Sequence, residues 1–313
     1  MSLHLALALA GALCVALPAL VAHAKPAPAI AVGATSPDGS NRLFADSQLI
    51  VRDRISVEVV GAGPDLIFIP GLASSRDTWR ATAERLRDRY RLHLVQVAGF
   101  AGEPARANAA GPVLIPTAEA IDAYILDQKL SPATVIGHSM GGTIALWLAE
   151  HHPADLKKVL IVDAVPFFAQ VMMDPATTPE QARPMAERLR TAAPRSDAAM
   201  TKMIDYMVTS PADRARVAAW SKASDHAVVQ NALADDLELD LRPGLAAIGA
   251  PITVLFPDYV ALGVPAGATD ATYGAAFAAL PRKTMKRVDG SLHFIMFDQP
   301  AVFAADLDAF LAS

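Results

Sequence analysis

The chain has a single cysteine, Cys14, among its 313 residues. It falls in the apolar N-terminal stretch, so the remainder has no thiol for a disulfide, a thiolate metal site or a cysteine nucleophile. The first 24 residues contain no Asp, Glu, Lys or Arg. Beyond them no second apolar run reaches the length needed to span a bilayer, so no stable membrane insertion is expected of the mature part. A basic excess is also missing. The net charge is −5, and Arg and Lys are interspersed with Asp and Glu, as in Arg76, Asp77, Arg80, Glu84, Arg85, Arg87 and Asp88. That spacing is a solvated helix face and gives no footprint for nucleic acid. Metal-ligand spacing is lacking as well, because the adjacent His151 and His152 cannot both face one ion from a helix and no carboxylate motif accompanies them. Neither a metal nor a cofactor is expected, and no internal repeat is found.

What is present begins with an export signal. Leu3 to Val21 is mostly Leu, Ala and Val and closes in Ala22-His23-Ala24 ahead of Lys25, the pattern of a secretory signal peptide with an A-x-A cleavage site. Residues 1–24 are expected to be removed, leaving about 289 residues in the periplasm or secreted. The n-region departs from the usual pattern in having no Lys or Arg, and a retained anchor is the alternative. Residues 25–47, rich in Ala, Pro, Gly and Ser, read as a flexible lead-in.

From there the chain alternates between β and helical periodicity. Ile55 to Val60 and Leu66 to Ile69 read as strands, and the turn signal Gly61-Ala62-Gly63-Pro64 between them predicts a hairpin. A helix over 77–90, a strand over 91–97, a helix over 117–130, a strand over 133–136, a helix over 140–151 and a strand over 158–162 follow. This rhythm predicts an α/β fold with a mostly parallel central sheet flanked by helices. After Asp163 it breaks. Helical patterns around 180–191, 197–209, 212–223 and 227–236 precede the next strand at 252–256, a helix at 271–280, a strand near 284–288 and a closing helix at 300–311. The expected organisation is a core of 48–163 and 251–313 with a helical cap insertion at 164–250, lying over the strand ends where parallel sheets bind ligands.

Chemistry is carried by Gly137-His138-Ser139-Met140-Gly141, a G-x-S-x-G pattern between the strand Ala133-Thr134-Val135-Ile136 and the helix that follows. Glycines two residues before and after the serine let the chain make a tight strand-to-helix turn that raises the hydroxyl above the sheet. Ser139 is the candidate nucleophile. A serine hydroxyl needs a base oriented by a third group, and His293, in the loop after the last predicted strand, is the candidate base. The acid belongs between the two, just past a strand end. Asp258, after Ile252 to Pro257, fits best. Asp163 ends the preceding strand and could reach the same imidazole, while Asp270 and Asp289 are less well placed. The backbone N–H groups of Met140 and of Leu72, in Pro70-Gly71-Leu72-Ala73, are the candidate oxyanion donors.

With elbow, oxyanion loop, acid and base in this order, the chain resembles the α/β-hydrolase superfamily in its form with a helical cap. The resemblance covers about residue 50 to residue 313 and also rests on Ala98-Gly99-Phe100-Ala101-Gly102 and on Ser291 to Pro300. It implies a cofactor-free hydrolase that works through an acyl-enzyme on esters, thioesters, lactones or amides. Pro70 stands where many relatives have His, which alters the support of the oxyanion loop. Ser139 argues against the dehalogenase and epoxide hydrolase relatives, which use Asp at the elbow.

The expected function is therefore an exported serine hydrolase, most simply a carboxylesterase with a small or medium apolar acyl substrate as its partner. Phe167, Phe168, Met172, Met173, Met200, Met203 and Met207 supply thioether and aromatic surface in the insertion, read first as packing against the sheet. Aminopeptidase and lactonase activities occur on similar scaffolds. An aminopeptidase would need an acidic anchor for the substrate amine, for which Glu180, Glu187, Asp205, Asp235 and Asp236 are available. A ligand-binding protein with little turnover is the alternative from another class.

Overall fold

A computed structural model describes residues 42–313. The expected signal segment and nearly all of the lead-in lie outside the described residues. Among the described residues, eight strands form one sheet: β1 (Gln48–Val51), β2 (Ile55–Gly61), β3 (Asp65–Ile69), β4 (Arg91–Val97), β5 (Ala133–His138), β6 (Leu156–Val162), β7 (Ile252–Pro257) and β8 (Lys283–Val288). Their order is β1-β2-β4-β3-β5-β6-β7-β8. β2 pairs antiparallel with β1 and β4, and every other pairing is parallel.

The helices are α1 (Arg80–Leu86), α2 (Leu114–Asp127), α3 (Met140–His151), α4 (Ala169–Met172), α5 (Pro179–Arg190), α6 (Asp197–Asp205), α7 (Pro211–Ala223), α8 (His226–Glu238), α9 (Ala268–Ala276), α10 (Ile295–Asp298) and α11 (Pro300–Ala312). The expected hairpin does not form. The Gly61 to Pro64 turn joins β2 to β3, but β4 lies between them and pairs with both. Leu66-Ile67-Phe68-Ile69 is apolar at every position and buried at every position, so it needs cover on both faces and a strand on either side. Those needs are met in the middle of a parallel sheet rather than in a two-stranded ribbon.

Period-two alternation divides the strands between two layers. Ile67, Ile69, Val135 and Ile161 join the core that holds Ile121 and Ile125 of α2 and Ile144 and Leu148 of α3. Leu66, Phe68, Ile136 and Leu160 face the other way, toward Trp79, Leu86 of α1 and Phe303 and Leu307 of α11. The edge strand β8 is mostly exposed and carries Lys283, Lys286 and Arg287, charges that discourage edge-to-edge association.

Between β6 and β7 the chain runs through α4 to α8. The helix starts are written locally. Thr178 makes a capping box with Gln181, and Ser196, Ser210 and Asp225 each accept from a backbone N–H of the following first turn. Ala182, Ala186 and Leu189 of α5 pack on Leu233, Ala234 and Leu237 of α8. α8 is in turn tied to the sheet unit, because Asp235 Oδ2 accepts from Val113 N at 2.6 Å and Leu114 N at 3.1 Å. These amides begin α2, so a carboxylate from a distant helix supplies its N-terminal acceptor. Arg190 holds Asp235 at 2.8 Å and Glu238 at 2.6 Å. No helix among the described residues is long and apolar enough to cross a membrane.

Candidate active site

Ser139 sits between β5 and α3 with φ 54° and ψ −128°, a strained backbone for a non-glycine residue. The glycines around it are required by close approach. A Cβ on Gly137 would run into the carbonyl of Gly141, and one on Gly141 into the carbonyl of Ile69. Ser139 N donates to Val162 O at 2.9 Å, which ties the elbow to the end of the neighbouring strand β6.

His293 lies in the loop after β8, on the same cavity as Ser139. Its Nδ1 is 2.5 Å from Asp163 Oδ2. The carboxylate on the imidazole is thus Asp163, and the expectation that Asp258 fills that place is corrected. β6 lies next to β5 in the sheet, whereas β7 is one strand further away. Asp163 follows β6 directly, with φ 50°, and its amide donates to Leu255 O at 2.8 Å. Asp258 turns instead to the backbone, accepting from Gly290 N at 3.0 Å and Val260 N at 3.3 Å. It braces the loop that carries His293 but does not reach the ring. Asp270 and Asp289 both bind Arg287 at the exposed edge.

The β7 loop sends Tyr259, not Asp258, toward the site. Tyr259 has φ 52°, and its hydroxyl donates to Asp163 Oδ2 at 2.6 Å. The Tyr273 hydroxyl, from α9, donates to Asp163 Oδ1. Both rings are buried. Burial first, and then the Asp163 charge, push each phenol well above its ordinary range, so both remain donors. Asp163 is thereby held by three side chains, two of which have no titratable role near neutrality. Sequence reasoning missed the tyrosines, since nothing in a loop and a helix some hundred residues downstream marks them.

His138 is the variable residue of the elbow, which the G-x-S-x-G pattern leaves open. It is fully buried, and its Nε2 lies 3.0 Å from the carbonyl oxygen of His293. Burial pushes its imidazole well below the usual range, so the ring is neutral and Nε2–H donates to that carbonyl. Its ring packs at 4.6 Å between centroids against both His293 and Phe294. The loop is held further by Phe294 N donating to Met207 O at 3.1 Å and by Leu292 N donating to Asp298 Oδ2 at 2.8 Å.

The oxyanion candidates flank the serine. A Cβ on Gly71 would stand 3.0 Å from Ser139 Cβ, which places the 70–73 loop against the candidate nucleophile. Among the described residues neither Leu72 N–H nor Met140 N–H donates to a protein acceptor. Gln96 supports the loop, accepting from Arg76 N at 2.8 Å and donating to Ser74 O at 3.1 Å.

These groups open on a cavity of about 380 Å³. Phe168, Met172, Met200, Met203 and Met207 of the insertion line it, while Phe167 is buried under Arg242 and Met173 packs behind. Of the acidic residues in the insertion, Asp205 pairs with Arg214 and Asp235 with Arg190, and only Asp236 joins Asp197 in the lining. One group among the described residues could hold a metal ion, Asp122 with His152 and Asp155, whose ligand atoms lie within 4.8 Å of one another. It is outside the cavity lining. His151 stacks on Trp147 instead.

A pimeloyl-[acyl-carrier protein] methyl ester esterase of Nitrosomonas europaea is 25% identical over 223 residues, covering 69% of this chain and 84% of that protein. The protein of that name from Aeromonas salmonicida is 34% identical over 114 residues, covering 36% of this chain and only 43% of the relative's length. The solved esterase of Exiguobacterium antarcticum superposes with a TM-score of 0.67 at 23% identity, covering 83% of this chain and 96% of that one. The family model described as alpha/beta hydrolase family matches residues 66–306. Together with the strand order and the serine elbow, this makes the chain a hydrolase that belongs to the alpha/beta hydrolase family.

Proposed function

We propose that this hydrolase cleaves esters of small or medium apolar acids through an acyl-enzyme formed on Ser139. The observation that carries the reading is the pairing of His293 with Asp163 on the cavity that Ser139 enters. His293 takes the proton of Ser139 as its oxygen attacks the ester carbonyl, and returns it to the departing alcohol. Asp163 keeps the imidazole in the Nδ1–H tautomer and offsets its positive charge while the proton is carried. The Leu72 and Met140 amides donate to the oxyanion of the tetrahedral intermediate. Water then enters by the same base, and the free acid leaves. The thioether-rich lining contributed by α4, α6 and the segment after α6, acting as a cap over the strand ends, supports an apolar acyl group. The esterase names of the relatives support the bond type.

The test is fluorophosphonate labelling with peptide mapping, followed by a chain-length series of p-nitrophenyl esters. Ser139 should carry the adduct, and Ser139→Ala and His293→Ala should each lose nearly all turnover. Either variant retaining wild-type rates, or hydrolysis confined to aminoacyl arylamides, would sink the assignment. Export to the periplasm or beyond is also part of the proposal, supported by residues 1–24. Cell fractionation with N-terminal sequencing should find the mature chain beginning at Lys25 outside the cytoplasm.

A further inference from the structure

One face of α8 forms part of the cavity wall. His226, Val229, Gln230, Leu233 and Asp236 all line it, at steps of three and four residues. An apolar acyl pocket would need only the valine and leucine. Gln230 and Asp236 are buried, at 3% and 8% exposure, and Gln230 Oε1 and Asp236 Oδ1 have no hydrogen-bond partner among the described residues. Leaving two acceptors unpaired costs stability, and neither carboxyl nor amide serves the fold as Asp235 does. Asp236 also bonds Thr143, which stands one turn along α3 from Ser139.

We propose that Gln230 and Asp236 form a polar subsite for a neutral hydrogen-bond donor, a hydroxyl or amide N–H, carried by the ester substrate beyond its scissile carbonyl. The inference deepens the esterase reading and rests on it for the word substrate. A neutral donor fits better than an ammonium group. Arg195 and Lys222 also line the cavity, and Asp235, which would be the second carboxylate, faces α2 and Arg190. Burial keeps Asp236 from acting as a simple solvated anion, and although the Thr143 hydroxyl opposes the shift, its carboxyl is pushed up to about 7. The preferred substrates would then be hydroxyacyl or amide-bearing esters rather than plain alkanoyl ones.

Equilibrium binding to the Ser139→Ala protein separates the subsite from the reaction. Methyl alkanoates from butanoate to octanoate are titrated beside their ω-hydroxy and ω-amino counterparts, with and without Gln230→Met and Asp236→Leu. At the chain length that reaches α8, the hydroxy ester should bind about five- to tenfold tighter than the plain ester, and each substitution should reduce that ratio toward one. Asp236→Asn, which keeps an acceptor and the shape, should retain it. Equal binding of hydroxy and plain partners at every length, a preference that survives both substitutions, or tighter binding of the amine would overturn the proposal. Turnover by the wild type is measured in parallel. A hydroxyl preference without turnover would retire the esterase reading alone, and turnover without the preference would retire the subsite alone.

Discussion

Asp163 Oδ2 meets His293 Nδ1 at 2.5 Å across 130 residues of sequence. The same carboxylate accepts from Tyr259 and Tyr273, so its position is fixed from three directions before substrate arrives. A carboxylate with that many donors is ready to orient an imidazole without rearranging.

The two aspartates considered for this place should separate on substitution. Asp163→Asn is expected to lower kcat by about three to four orders of magnitude, because the amide can present its NH2 to Nδ1 and stabilise the wrong tautomer. Asp258→Asn should stay within about threefold of wild type, its loss being weaker acceptance from Gly290 and Val260. Steady-state ester hydrolysis by the two variants decides between them, and the reverse ranking would return the role to Asp258.

His138 should matter without touching the substrate bond. His138→Phe keeps the packing against Phe294 but removes the donor to the His293 carbonyl. The expected result is a drop in kcat of about tenfold with little change in KM, while His138→Gln, which can still donate, recovers part of it. Equal losses in both variants would mean that packing alone explains the position.

Asp236 predicts a pH dependence of stability. Its carboxyl is raised from 3.8 to about 7 by burial, with Asp235 adding to the rise and Thr143 opposing it. Between those values the folded chain holds a proton that the unfolded chain has released, so this group's contribution to stability falls as pH rises through the window. Asp236→Asn removes the titration. The variant should be more stable than wild type by on the order of 4 kcal/mol at about pH 8, with the gap closing toward about pH 4. Urea unfolding across that range measures it, and a gap independent of pH would contradict the assignment.

Arg76 predicts a structural loss near the oxyanion loop. It is 1% exposed, lies 3.8 Å from Glu58 and 3.6 Å from Glu103, and donates to Ser56. Burial lowers its guanidinium to about 10, still charged at neutral pH. Arg76→Met should destabilise the fold by about 3 kcal/mol, because two buried carboxylates lose their shared cation. Thermal unfolding would show it, and an unchanged melting temperature would mean that the cluster is better replaced than broken.

Local pattern carried much of this protein. The alternation of strand and helix periods, the elbow from Gly137 to Gly141, the chain order of Ser139 and His293, and the insertion after Asp163 were all legible because each depends on neighbours within a turn or a strand. The strand β1 and the pairing of β2 were not, since which strand lies beside which is settled by how many faces must be covered. Which aspartate meets His293 was not legible either. Asp163 and Asp258 both follow a strand, and only the lateral order β5-β6-β7, with the turn of backbone at Tyr259, puts one beside His293 and the other on Gly290. Tyr259, Tyr273, His138, Gln230 and Asp236 carry no local signature at all. Their roles come from distance in three dimensions, where burial and an unpaired or shared oxygen decide what a common side chain does.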